Sequence, residues 1–110
     1  MDTDDLSLIL ASQSGDEQAF DGLVSRYLRP VYAFALSITH DVPMAEDVAQ
    51  DTCIKAWKHL DGFDVSRSFK TWIFAIAKNT AYDALKKKKA LPFSAFAEAD
   101  EDDSHESWAD

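Results

Sequence analysis

Trp72, Ala75, Asn79, Tyr82 and Lys86 recur at spacings of three and four residues, which on an α-helix sets their side chains along one line. An indole and a phenol offer flat faces on which bases stack. An amide offers a donor and an acceptor to a base edge, and an ammonium offers charge to a phosphate. The line therefore suits contact with an unpaired nucleic-acid strand. It equally suits two ordinary core rings followed by a solvated lysine run, 86–89, at the negative end of a helix dipole.

A second surface is marked by Ile54. On the preceding helix a turn of about 100° per residue rings this β-branched apolar side chain with Asp47, Gln50, Asp51 and Lys58, so a partner that covered it would be favoured. Single exposed isoleucines are also common and need no partner. Asp47 and Asp51 share that face in the manner of an acid/base pair or a divalent-cation site. Asp51 stands four residues before Lys55, however, which is the spacing of a solvated helix pair. His40, His59 and His105 are scattered without Cys neighbours or an i, i+4 His partner, which gives no metal site. No GxSxG, Walker A, dinucleotide or CxxC motif occurs. Neither catalysis nor a cofactor is expected.

The formal net charge of −9 is partitioned along the chain. Residues 1–54 hold ten acids against two bases, 55–89 hold nine bases against three acids, and 90–110 hold seven acids and no base. A basic middle between acidic ends fits a nucleic-acid partner better than the sum does. Cys53 is the sole cysteine, so no intrachain disulfide forms and a reducing cytoplasm fits best. No unbroken apolar run exceeds the length of 72–77, far short of the roughly 18 residues that a membrane span needs. The opening MDTDD is acidic where a signal peptide is basic.

At 110 residues the chain allows one domain, and few glycines and no alternating strand pattern point to an all-α fold, a compact bundle of about four to five helices. A short lead helix over 1–14 is followed by the break at Gly15 and an N-cap at Asp16. Phe20, Leu23, Val24, Tyr27, Val31, Phe34, Ala35 and Ile38 then keep helical period, with Pro30 inside. A proline there predicts a kink or restart, giving about 16–29 and 30–39. Asp41 caps a helix over about 43–60 with Ala45, Ala49, Thr52, Cys53, Ala56, Trp57 and Leu60 facing the core. After Gly62, the loop 63–68 leads into a helix over about 69–87, with Phe69, Ile73, Ile76, Ala77, Thr80 and Ala84 as its core stripe and Phe74, Ala81 and Leu85 as a second apolar strip. The acidic 95–110 segment reads as a disordered tail beyond a helical domain of 1–94.

The stretch AEDVAQDTCIKAWKHLDGFDVSRSFKTWIFAIAKNTAYDALKKKK resembles region 2 of the extracytoplasmic-function sigma factors. The likeness begins at GDEQAF (15–20) and runs to about 89, with AED..QD at 45–51, KAW at 55–57 and F.TWIF.IAKNTA.D at 69–83 in the family's order and spacing. The resemblance implies a helical bundle with two working faces and no reaction of its own. One face, carried onto Asp47, Gln50, Asp51 and Ile54, docks on the clamp coiled coil of the RNA polymerase core. The other reads the non-template strand of the minus-ten promoter element and captures a flipped base. It falls on Phe63, Asp64, Val65, Ser66, Arg67 and Ser68 of the loop and on Lys78 and Asn79, with Lys70, Lys86 and Lys87 attracting the backbone and Trp72 in the stacking line.

An anti-sigma factor is a further partner that the resemblance implies. Cys53 departs from a bulky apolar position in the family, Val65 from a frequent glycine and Asp64 from a frequent base. A second, helix-turn-helix domain that the family carries has no counterpart within 110 residues. The expectation is a fragment of a longer chain, with a natural single-domain form as the alternative and 95–110 as the start of an interdomain linker. A helical protein-interaction module without nucleic acid is the competing function.

Overall fold

Residues 2–89 are described by the computed structural model, with side chains from Asp5 to Lys88, and they hold α1 (Asp2–Gln13), α2 (Glu17–Thr39), α3 (Val42–His59), a 3-10 turn (Leu60–Gly62) and α4 (Phe69–Lys89). No strand occurs among the described residues. The 95–110 segment, expected as tail or linker, lies outside them.

The breaks follow from local chemistry. Gly15 takes φ +101°, open to glycine without strain, and the Asp16 carboxylate then accepts from the Gln18 and Ala19 amides at 3.0 and 3.2 Å to start α2. His40 closes α2 in the left-handed region at φ 54°, donating its N–H to the Leu36 carbonyl at 2.8 Å. Asp41 immediately caps α3 by accepting from the Met44 amide at 3.0 Å, with Pro43 in the first turn where its missing N–H is harmless.

The expected restart at Pro30 does not occur, since α2 runs unbroken from Glu17 to Thr39. A helical proline costs roughly 3 kcal/mol. Burial of Phe20, Leu23, Val31 and Ala35 along the same helix, at about 1.5–3 kcal/mol for each large side chain, outweighs that cost only if the two halves stay in line. Pro30 and Arg26, four residues before it, are both exposed, so the amide hydrogen that proline lacks is missing on the solvent side of the helix.

α2 packs against the other three helices. Leu23 and Val31 meet Ile73, Ile76 and Ala77 of α4 together with Ala49 and Ala56 of α3 in one cluster. Ala35, Ala45, Val48 and Ala81 form a second. Ala45, Ala49, Thr52, Ala56 and Leu60 are buried as expected, but Cys53 is half-buried and Trp57 is exposed, while Val48 is buried instead. The seam of small residues explains the rotation. Where alanines let backbones approach closely, an indole does not fit, and Trp57 lies at the edge against Phe20 with ring centroids 4.8 Å apart.

Candidate nucleic-acid and protein interfaces

The loop between the 3-10 turn and α4 is built by its own side chains. Asp64 Oδ1 accepts from the Ser66 backbone N–H at 2.9 Å and from Ser66 Oγ at 2.7 Å, and the Arg67 N–H donates to the Asp64 carbonyl at 2.9 Å. This is an Asx-type turn, the reason an aspartate serves here. The Ser66 hydroxyl, then its N–H, and the nearby Arg67 charge hold the Asp64 carboxyl below its ordinary value. Ser68 opens α4, its Oγ accepting from the Thr71 amide at 3.1 Å and its carbonyl from Trp72 at 3.1 Å. Asp64, Val65, Ser66, Arg67 and Ser68 are all exposed.

Phe63, expected at the nucleic-acid face, is instead a core ring, 6% exposed. It meets Phe69 edge-on at 5.6 Å and Trp72 at 4.9 Å, and Phe69 meets Trp72 at 5.5 Å. An apolar ring next to a polar loop gains more from joining that cluster than from facing water. Trp72 is half-buried, backed by Phe63 and Phe69, with part of its surface outward.

Along α4 the core stripe Phe69, Ile73, Ile76, Ala77 and Thr80 is buried, and Ala84 is half-buried. Ala81 is buried in the second strip, where Phe74 meets Phe34 of α2 at 5.1 Å. The third strip rises out of the core as it proceeds. Trp72, Ala75 and Asn79 are half-buried, and Tyr82 and Lys86 are exposed. Lys70, Lys78 and Lys87 are exposed on the same helix. Next to Asn79, the Thr80 hydroxyl donates to the Ile76 carbonyl at 2.7 Å and accepts from Lys55 Nζ at 3.0 Å, which ties α3 to α4. A cleft of about 460 Å³ opens on the loop's other side, between residues 65–70 and Asp5, Leu6, Ile9 and Tyr27.

Asp47, Gln50, Asp51 and Ile54 are all exposed on α3, with Ile54 at 54%. Trp57, one turn further on and assigned to the core by periodicity, joins this surface at 38% exposure. The i, i+3 pairing of Ile54 with Trp57 was the available signal for it. Glu17 and Asp21 of α2 flank the Phe20–Trp57 pair, so the apolar ridge is bordered by acids. Among the described residues no group of three or more His, Cys, Asp or Glu side chains is placed to hold a metal ion, and no helix is long and apolar enough to cross a membrane.

Comparison with known proteins adds to this geometry. The family model for Sigma-70 region 2 matches residues 23–91. The chain is 38% identical over 77 residues to the ECF RNA polymerase sigma factor SigW of Bacillus subtilis, covering 70% of this chain and 41% of that protein. It is 37% identical over 105 residues to the ECF RNA polymerase sigma-E factor of Salmonella typhimurium, covering 94% and 53%. The chain thus spans about half the length of these curated relatives or less. Among solved structures, an engineered region 2 of sigmaE in complex with GTAAAA superposes with a TM-score of 0.75 at 37% identity, over 78% of this chain and 90% of that one. CnrH in complex with the cytosolic domain of CnrY gives 0.69 at 36% identity, over 73% and 52%.

Proposed function

This chain belongs to the Sigma-70 region 2 family, and from that premise we propose that it is the promoter-recognition domain of an extracytoplasmic-function sigma factor. Its outer α3 face holds the RNA polymerase core, and its 63–68 loop and α4 read one strand of an opened minus-ten element. It acts in the cytoplasm and carries out no reaction itself.

One observation carries the reading. The exposed loop leads directly into a helix edge bearing Trp72, Asn79 and Tyr82 with Lys78 and Lys86 exposed beside them, on a domain whose relative at 37% identity is solved with GTAAAA bound. Drawing a base out of the stack costs a few kcal/mol, which stacking and edge hydrogen bonds in a protein pocket can offset. Asn79 has a donor and an acceptor for such an edge. The lysines meet phosphates and release counterions, so their contribution weakens with salt. The buried Phe63 ring acts from beneath, supporting Trp72 rather than touching the strand.

The α3 ridge of Ile54 and Trp57, bordered by Asp47, Asp51, Glu17 and Asp21, suits a partner helix with apolar and basic side chains. The polymerase clamp coiled coil is that partner. An anti-sigma factor is a second, in keeping with the CnrH complex.

Binding to labelled single-stranded oligonucleotides drawn from a randomised library tests the reading. Sequence-selective binding that weakens between about 50 and 200 mM salt is expected. Absence of binding at the lower salt, alone and with polymerase core, would leave only a protein-interaction module.

A further inference from the structure

The recognition loop is held in place by α1, which lies outside both faces described above. Gln13, the last residue of α1, donates from Nε2 to the carbonyl of Leu60 at 3.0 Å and to the carbonyl of Phe63 at 3.0 Å. These acceptors are 47 and 50 residues away in sequence. Leu60 begins the 3-10 turn, and Phe63, at φ −74° and ψ 129°, is where the backbone becomes extended and the loop departs. An amide nitrogen has two hydrogens, so one half-buried side chain spans the turn from end to end. The other end of α1 is secured separately, since Asp5 accepts from the Tyr27 hydroxyl and from Arg26 at 3.2 Å. α1 is thus a fixed strut, and Gln13 is its point of attachment to the loop.

The chemistry of the position is narrow. Glutamate matches the shape but has no donor when ionised, and it would set a negative charge against two carbonyl oxygens. Methionine fills the space and leaves both carbonyls without the donor. Asparagine keeps the donors but falls about 1.5 Å short. The Phe63 carbonyl held by Gln13 belongs to the residue whose ring lies under Trp72 at 4.9 Å, so the tie fixes both the start of the loop and the backing of the first ring in the stacking line.

We propose that Gln13 is a positioning residue for strand recognition: without touching nucleic acid, its fork sets the loop and Trp72 in register with Asn79, and sequence discrimination depends on it. The inference rests on the single-strand reading given above. With both bonds removed, discrimination is expected to fall about tenfold, the equivalent of about 1.4 kcal/mol and within what two ordinary hydrogen bonds contribute.

The test uses Gln13→Glu and Gln13→Met. Affinity is measured for the strand that wild type selects from a randomised library and for a scrambled strand, with amide hydrogen exchange followed at Ser66, Arg67 and Ile76. The expected result is about a tenfold fall in the ratio of preferred to scrambled affinity, an unchanged salt slope, faster exchange at Ser66 and Arg67, and unchanged protection at Ile76. A purely structural role would lower the melting temperature and leave the ratio intact, and that outcome overturns the proposal while sparing the single-strand reading. Failure of both variants to fold also overturns it, by assigning Gln13 to the fold as a whole. A wild type that shows no preference among strands removes the single-strand reading itself, and this inference with it.

Discussion

Lys88, near the end of α4, donates to the Asp41 carboxylate at 3.1 Å, and the same carboxylate accepts from the Met44 amide to cap α3. The Met44 N–H, first, and then Lys88 lower the Asp41 pKa from its ordinary 3.8. A carboxyl whose folded pKa is depressed adds stability above the unfolded value and loses it as pH falls through the folded one. The stability difference between wild type and Asp41→Ala is therefore expected to be constant at neutral pH and to shrink below pH 3.8. Urea titrations at a series of pH values check this. Lys88→Ala should have the smaller effect, because its side chain is 59% exposed and the pair is screened by water and salt.

Asn79 is half-buried on the line that leads from Trp72 to Tyr82. Asn79→Ala is expected to weaken binding to the preferred single strand by about 1–3 kcal/mol and to relax selection at one position. Lys78→Ala, by contrast, should weaken binding to all strands alike and reduce the salt slope by about one. Fluorescence anisotropy across an oligonucleotide panel separates the two, and equal binding of Asn79→Ala and wild type would remove Asn79 from base reading.

Ile54→Asp places a charge on the α3 ridge without disturbing a buried contact, since Ile54 is 54% exposed. Loss of polymerase-core capture with unchanged helicity by circular dichroism is the expected outcome. Trp57→Ala should also weaken capture. Undiminished capture by both variants would move the docking surface elsewhere.

Gly22 sits inside α2, and a Cβ there would meet only Leu8, at 3.6 and 3.8 Å, an ordinary contact distance. Gly22→Ala is expected to stabilise the domain by about 1 kcal/mol through helix propensity, raising the melting temperature by about 4–8 °C. A lower melting temperature would mean that α1 does not tolerate the added methyl.

Much of this architecture was legible before the structure, and the legible parts share a cause. Asp16 and Asp41 announce helix starts because a short acceptor side chain satisfies amides within its own turn. The Phe69, Ile73, Ile76, Ala77 and Thr80 stripe is buried because it repeats at the helical period. The polar face of α3 also stands outward, with Asp47, Gln50, Asp51 and Ile54 exposed. What escaped depends on neighbours distant in sequence. Trp57 is displaced by alanines that bring α3 close to its neighbours, and Phe63 is drawn inward by Phe69 and Trp72. Pro30 is tolerated because both flanks of α2 pack on one core. Gln13 gave no signal at all, since its acceptors are main-chain carbonyls that any sequence supplies.

The bond from Lys55 to Thr80 links α3 to α4 beside their shared hydrophobic contacts. Lys55 follows Ile54 in the chain, and Thr80 follows Asn79, so a single 3.0 Å link lies one residue behind each face. With close-packed alanines on either side there is little slack for one helix to slide past the other. A partner seated on α3 would therefore meet α4 at one fixed bearing, as a handle fixes the direction of its blade.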